Sequence, residues 1–225
     1  MPVWSIIRVT TPQTPIFSTA MVQLEHPEQT RTSSTTNARD VAIMKHCIEL
    51  SYNCEVSPTA FSVGSTLFLP SSSSRFPILK SRFPSFSKVD GAEPQGLILA
   101  DGWSRQIPGN THAEANALAN FRKVYGELLE GTDSTTSDLP PIENVLADVS
   151  CYATMEPCSV RTSGGPSCAL ELVRSKINSV YLGVEEPPDF VQCDGVRILQ
   201  DGNVEVIRVS GLEEECLKAA RRGRD

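Results

Sequence analysis

Three residues of the chain, His112, Cys158 and Cys168, can together hold one zinc ion, and a fourth, Glu114, can move protons beside it. One imidazole and two thiolates leave one position of a tetrahedral ion open. Zinc at such a site activates water near neutral pH. Activated water can attack an amidine-like ring carbon that bears an amino group. Glu114, two residues beyond the histidine, would take the water's proton and pass protons to the ring nitrogen and to the departing ammonia. A structural zinc site more often uses four protein ligands, and none of the other cysteines has a spacing that nominates a fourth.

Taken singly, each of these residues has a plainer account. Thr111 and Glu114 are spaced as a capping box, in which Glu114 bonds back to the start of a helix. A lone histidine is usually a satisfied structural side chain, and a lone Cys158 or Cys168 a small buried residue. The combination is what carries chemistry. His112 and Glu114 fall in the first turn of one helix, Cys158 follows Pro157 at the end of a strand, and Cys168 opens the next helix. Strand ends and helix starts converge in an open α/β domain, and helix N-termini favour thiolates.

The elements that must position these residues follow from the pattern. Asn37 can cap a helix from Ala38, with Val41, Met44 and Ile48 on one face. Residues 60–69 read as a long strand, with Gly64 inside it as a bulge or a close backbone approach. Residues 96–100 form a short buried strand, and Asp101, Gly102 and Trp103 turn out of it. A helix runs from Thr111 to about Leu128, burying Leu118, Phe121, Tyr125 and Leu128. Residues 147–154 form a strand, Ser167 caps a helix to about Ser175, and residues 179–184 are a strand covered on both faces. Short strands are expected at 197–199 and 204–209, and Gly211 opens a last helix. Its acidic start and its basic end, with Arg221, Arg222 and Arg224, suit the helix dipole, so the basic end reads as capping. Alternating helices and strands imply a three-layer α/β domain.

Residues 1–37 are polar and aperiodic and read as a flexible tail, with residues 38–225 as the folded domain. Residues 70–95, with a serine run and Arg75, Lys80, Arg82 and Lys88, read as an exposed insertion or a lid. The net charge of −7 argues against a nucleic-acid partner. Seven cysteines without regular spacing fit a reducing compartment rather than a disulfide framework. No apolar run reaches the length of a membrane span, and the first residues are a poor secretory signal. A cytoplasmic location is expected.

His-x-Glu followed by Pro-Cys and a second Cys is the pattern of zinc-dependent deaminases. Enzymes of that group acting on nucleosides and nucleic acids commonly place two residues between the cysteines. Here residues 159–167 intervene. That loop carries Arg161, Thr162, Ser163 and two glycines, a reasonable cradle for an anion. With residues 110–114 and 154–159, and with 102–105 and 183–187, the chain resembles the riboflavin-biosynthesis pyrimidine deaminases, most closely the fungal type. The resemblance spans about residues 40–222.

It implies the cytidine-deaminase-like fold, a three-layer α/β/α arrangement around a central mixed sheet. It implies zinc, held by His112, Cys158 and Cys168, and a homodimer or larger assembly. It also implies a small phosphorylated substrate with a pyrimidine ring and a ribityl chain, and no nucleic acid or membrane partner. Ring contacts are expected from Asn110, from the backbone at Ala113, and from Thr59, Phe61 and Ser62. Phosphate contacts are expected from Arg161, Thr162 and Ser163. In the bacterial relatives the first strand carries Asn-Pro-x-Val-Gly. This chain has residues 60–64 as Ala-Phe-Ser-Val-Gly, so the asparagine's contact with the base is replaced or absent. A zinc deaminase of another substrate and a non-catalytic zinc-stabilised module stay open as alternatives.

Overall fold

The structure, a computed structural model, describes residues 33–87, 95–131, 138–161, 164–187 and 194–224. Its strands are β1 (Ser33–Thr35), β2 (Gly64–Pro70), β3 (Ser85–Phe86), β4 (Gly96–Trp103), β5 (Ser150–Met155), β6 (Ser179–Val184) and β7 (Glu205–Val209). They form one sheet in the order β1-β7-β6-β5-β2-β4-β3. Strands β1, β7, β6 and β5 are parallel, whereas β2, β4 and β3 pair antiparallel. The sheet is therefore mixed, and its two halves meet where β2 lies against β5. All of β5 and nearly all of β2 is buried, which explains their lack of polar alternation.

Side chains alternate across each strand and so divide the core in two. Leu67 and Leu69 of β2 pack with Leu118, Phe121 and Tyr125 of α3 (Ala113–Glu130). The same cluster takes Val145 of α4 (Ile142–Leu146), Leu172 of α5 (Cys168–Arg174) and Leu199 of α6 (Gly195–Asp201). Phe68, between those two leucines, points the other way. It packs with Ile43, Met44 and Cys47 of α1 (Ala38–Ser51), near Cys216 of α7 (Glu213–Ala220). Helices thus cover both faces, giving the three-layer α/β/α arrangement expected from the sequence.

On the α1 face, buried Asp40 accepts from Tyr152 Oη at 2.8 Å and pairs with Arg39 at 2.8 Å. A buried carboxylate needs such partners. Also on this face, His46 Nε2 of α1 lies 2.9 Å from Asp101 Oδ2 of β4. The bond to Asp101 raises the pKa of His46, against the opposing effect of burial. A raised folded-state pKa stabilises fully below the unfolded value of about 6.5, and the contribution is lost as pH rises through the folded value. Replacing His46 by Gln is expected to lower the melting temperature slightly at pH 6 and not at pH 9. A difference that stays constant with pH would contradict the ion pair.

Several boundaries differ from the sequence expectation. Residues 60–63 are not part of β2, which begins at Gly64, and Gly64 serves a close approach: a Cβ there would lie 1.9 Å from Cys47 O of α1. Asp101, Gly102 and Trp103 continue β4 rather than turning out of it, because they pair with Thr66, Ser65 and Gly64. Residues 197–199 lie in α6, not in a strand. Ser33–Thr35, inside the expected tail, pairs with β7. In the 70–95 stretch, α2 (Phe76–Leu79) buries Leu79, Phe83 is also buried, and Arg75 pairs with Asp148 at 2.7 Å. The expected tail up to residue 32, residues 88–94 of that stretch and Cys193 lie outside the described residues.

Gly102 sets the height of α3 above the sheet. A Cβ at this position would lie 2.3 Å from Ala113 O and 2.4 Å from Ala117 N. Only a residue without a side chain lets the start of α3 rest directly on β4. The substitution Gly102→Ala is expected to destabilise the protein by roughly 1–3 kcal/mol through overpacking. Thermal denaturation checks this, and an unchanged melting temperature would contradict the close packing.

Candidate active site

The connection from β4 to α3 is tied at several points. Arg105, with φ 63°, donates its N–H to Thr111 O at 2.7 Å, and Gly109 supplies a second positive φ of 105°. The buried Asn116 of α3 donates Nδ2 to Trp103 O at 2.8 Å and to Thr111 Oγ1 at 3.0 Å. His112 is the N-cap of α3, extended at φ −99° and ψ 153°, and no side chain closes that cap. The capping box read from Thr111 and Glu114 is therefore not formed. Thr111 Oγ1 donates to Ile107 O instead, and Glu114 lies 4% exposed in the interior.

The other half of the site comes from the end of β5. Glu156 N–H bonds Val184 O at 2.9 Å, extending the pairing with β6 past the strand. The Glu156 carboxylate, itself buried, accepts from Val196 N at 2.9 Å and Glu186 N at 3.4 Å. At Gly195 a Cβ would sit 1.8 Å from Pro157 O, so α6 begins against the Pro157 backbone. Beyond it, Cys158 receives the start of α5. Ala169 N–H bonds Cys158 O at 3.2 Å, and Cys168 N–H bonds Cys158 Sγ at 3.4 Å. Ser167 caps the helix by accepting from Leu170 N. Both cysteines therefore sit side by side at the N-terminus of α5.

These two halves bring His112, Cys158 and Cys168 together, with one ligand atom from each and all within 4.8 Å of one another. His112 Nδ1 lies 3.5 Å from Cys158 Sγ and 3.4 Å from Cys168 Sγ. A hydrogen bond from the Cys168 thiol, helped by His112 and the Cys168 N–H, pulls the Cys158 pKa down to about 4. Burial, and then the Cys158 charge, pushes Glu114 up to about 7. The donor set fits zinc: one imidazole and two thiols, one of them predisposed to ionise, with no fourth His, Cys, Asp or Glu joining the group among the described residues.

A cavity of about 240 Å³ opens onto these groups. Of the residues named from the sequence, Asn110, Ala113, Thr59 and Phe61 line it together with His112, Glu114 and Cys158. Ser62 sits behind the wall, fully buried, where its Oγ accepts from Arg105 Nη2 at 3.1 Å. Arg161 is turned to the thiols: its Nη2 donates to Cys168 Sγ at 3.3 Å. Thr162 and Ser163 lie outside the described residues.

Among the wall residues to which sequence reasoning gave no role are the charged side chains Arg105, Glu156, Glu186 and Arg224. Glu156 stood inside the Thr154–Cys158 motif without a role. Arg224 was grouped with a basic helix end; in the structure Arg222 of that end caps α1.

No family model matches the chain. The chain is 30% identical over 222 residues to the diaminohydroxyphosphoribosylamino-pyrimidine deaminase of Schizosaccharomyces pombe, covering 93% of this chain and 45% of that protein. It is 30% identical over 98 residues to the riboflavin biosynthesis protein RibD of Bacillus amyloliquefaciens, covering 44% of this chain and 20% of that one. The chain thus spans less than half the length of these curated relatives. Among solved structures, the Aspergillus oryzae Rib2 deaminase has a TM-score of 0.59 at 26% identity, over 83% of this chain and 92% of that one. That protein has also been solved in complex with DARIPP. A bifunctional deaminase and reductase of Thermotoga maritima shares the fold, with a TM-score of 0.53 at 23% identity over 81% of this chain and 39% of that one.

Proposed function

We propose that this chain, which resembles the riboflavin-biosynthesis pyrimidine deaminases over most of its length, is a zinc-dependent hydrolytic deaminase. The substrate we assign is 2,5-diamino-6-ribitylamino-4(3H)-pyrimidinone 5'-phosphate. The products are 5-amino-6-ribitylaminouracil 5'-phosphate and ammonia, a step of riboflavin biosynthesis. The observation that carries this reading is the meeting of His112, Cys158 and Cys168 beside the buried Glu114 on one cavity.

Each residue has a place in the reaction. His112, Cys158 and Cys168 would hold the zinc, and Arg161 Nη2 supports the Cys168 thiolate. Bound zinc supplies the Lewis acidity that makes water a nucleophile near neutral pH. Glu114 accepts the proton of the attacking water and delivers it to the ring nitrogen. The same carboxylate then carries the remaining water proton to the amino group, which leaves as ammonia when the C–N bond breaks. Burial suits it to both halves of this task, since a carboxylate held near neutrality gives up a proton as readily as it takes one.

Ala113 opens α3, so its N–H has no acceptor within the helix and can bond the ring's carbonyl. Asn110, Thr59 and Phe61 complete the ring contacts, and the loop residues Thr162 and Ser163 stay as candidates for the phosphate. The similar proteins named as deaminases support this reading. It carries with it a homodimer and a cytoplasmic location; among the described residues, no helix is long and apolar enough to cross a membrane.

Turnover in water enriched in heavy oxygen tests the reaction type. The product ring should gain one labelled oxygen for each ammonia released. Release of ammonia without label would contradict hydrolysis at the ring carbon.

A further inference from the structure

We infer that Arg105 is a positioning residue for the reaction: its side chain pins one wall of the cavity, residues 55–62, in the arrangement that accepts the substrate ring. The inference rests on the deaminase reading above and adds to it a residue that acts through the wall rather than on the substrate.

The wall has no regular structure of its own. Residues 55–63 belong to no helix or strand, yet Thr59, Ala60, Phe61 and Val63 line the cavity. The carbonyls of such a segment need partners from elsewhere. Past the Gly64–Trp103 pair of β2 and β4, Ser104 N–H bonds Val63 O at 2.9 Å and Val63 N–H bonds Ser104 Oγ at 3.1 Å. From there Arg105 continues the connection with its side chain. Nη1 donates to Phe61 O at 3.0 Å, and Nη2 donates to Ser62 Oγ at 3.1 Å and Glu55 O at 2.6 Å. Nε donates to Glu55 O at 3.0 Å. One planar guanidinium thus joins both ends of the 55–62 segment. The main chain of the same residue bonds Thr111 O at 2.7 Å, directly ahead of His112. A single residue therefore ties the wall that bears Thr59 and Phe61 to the turn that delivers His112 and Glu114.

The backbone of Arg105 points the same way. Its φ of 63° lies in the left-handed region, where glycine fits without strain and a side chain does not. A turn alone would be served better by glycine, and the four bonds of the guanidinium account for an arginine there. Strain of this kind persists where the surroundings over-determine the conformation, as they do at this cavity.

The test compares the zinc-loaded full chain with Arg105→Gly and Arg105→Lys. Glycine keeps the N–H to Thr111 and relieves the backbone, so that variant removes only the side chain's bonds. Lysine keeps the charge but lacks the fork that reaches three acceptors at once. Ammonia release is followed with the phosphorylated ribitylaminopyrimidine and with its dephosphorylated form, and amide hydrogen exchange is followed at residues 55–62. An unpinned wall is in the binding-competent arrangement only part of the time, which lowers apparent affinity by that fraction. Arg105→Gly is therefore expected to raise KM roughly 10- to 100-fold for both compounds alike, with kcat within about threefold and one zinc still bound per chain. Exchange at 55–62 should quicken by about tenfold or more. Arg105→Lys should recover little of either loss, and it supplies the same comparison should the glycine variant not fold.

An unchanged KM in a folded, zinc-loaded variant would overturn the proposal and leave the deaminase reading intact. A rise in KM confined to the phosphorylated compound would also overturn it, by making Arg105 a direct phosphate contact. Faster exchange at 55–62 in Arg105→Gly, with no ammonia released by the unaltered protein, would uphold the pinned wall and reject the deaminase reading.

Discussion

Glu114→Gln is expected to keep the fold and bind zinc stoichiometrically while losing turnover by about a thousandfold, within the usual range for a general acid–base group. The carboxylate is 4% exposed, sits two residues from His112 on the first turn of α3, and lines the cavity beside Cys158. Glutamine has the same shape and can still hydrogen-bond there, but it cannot accept and return a proton. The loss should therefore fall on kcat, with KM nearly unchanged. Metal content by atomic spectroscopy and steady-state ammonia release check both halves. Activity within tenfold of the unaltered protein would remove Glu114 from the proton path, and loss of zinc would make it a ligand rather than a shuttle.

The second large effect belongs to the thiol pair. Cys168→Ala is expected to bring zinc far below one ion per chain and turnover to background. Water's pKa would return from about 7 towards 15.7, a loss on the order of 10⁴ or more in rate. Cys168 is 1% exposed, and its N–H and thiol both bond Cys158 Sγ. Removing it takes away one donor and weakens the ionisation of the other. The melting temperature should fall as well, since a bound metal stabilises the folded state that holds it. Treatment of the unaltered protein with a chelator should reproduce both changes, and added zinc should reverse them. Stoichiometric zinc in Cys168→Ala would mean that a different residue completes the site.

What the sequence disclosed, and what it did not, divides along the range of the interactions involved. The grouping of His112, Cys158 and Cys168 was legible because these residues fall at element junctions: the helix start at His112, the strand end before Cys158, and the Ser167 cap ahead of Cys168. Local capping and periodicity place such junctions well, as the Asn37 cap of α1 and the strand at 179–184 also show. The capping box at Thr111 was legible too, but it competed with the loop. Asn116 and Ile107 engaged the threonine, and burial held Glu114 in the interior.

Pairing between distant strands decided the cases that local patterns missed. Asp101–Trp103 looked like a turn, yet β2 lay beside it with partners for each residue. Ile198 and Leu199 carry apolar side chains that suit a strand, but Glu156 receives Val196 N–H and the segment winds into α6. Arg224 was the least legible of all. Nothing near it in sequence indicates the cavity; it reaches Phe61 through Gly223 and a clamp on the end of α1.

The most direct test of the account is ammonia release from the zinc-loaded protein, offered the reduced ribitylamino pyrimidine phosphate and its unreduced ribosylamino counterpart side by side. The account predicts one ammonia per ring from the ribitylamino compound and little from the other. No ammonia from the ribitylamino compound, by a folded protein holding one zinc per chain, would contradict it.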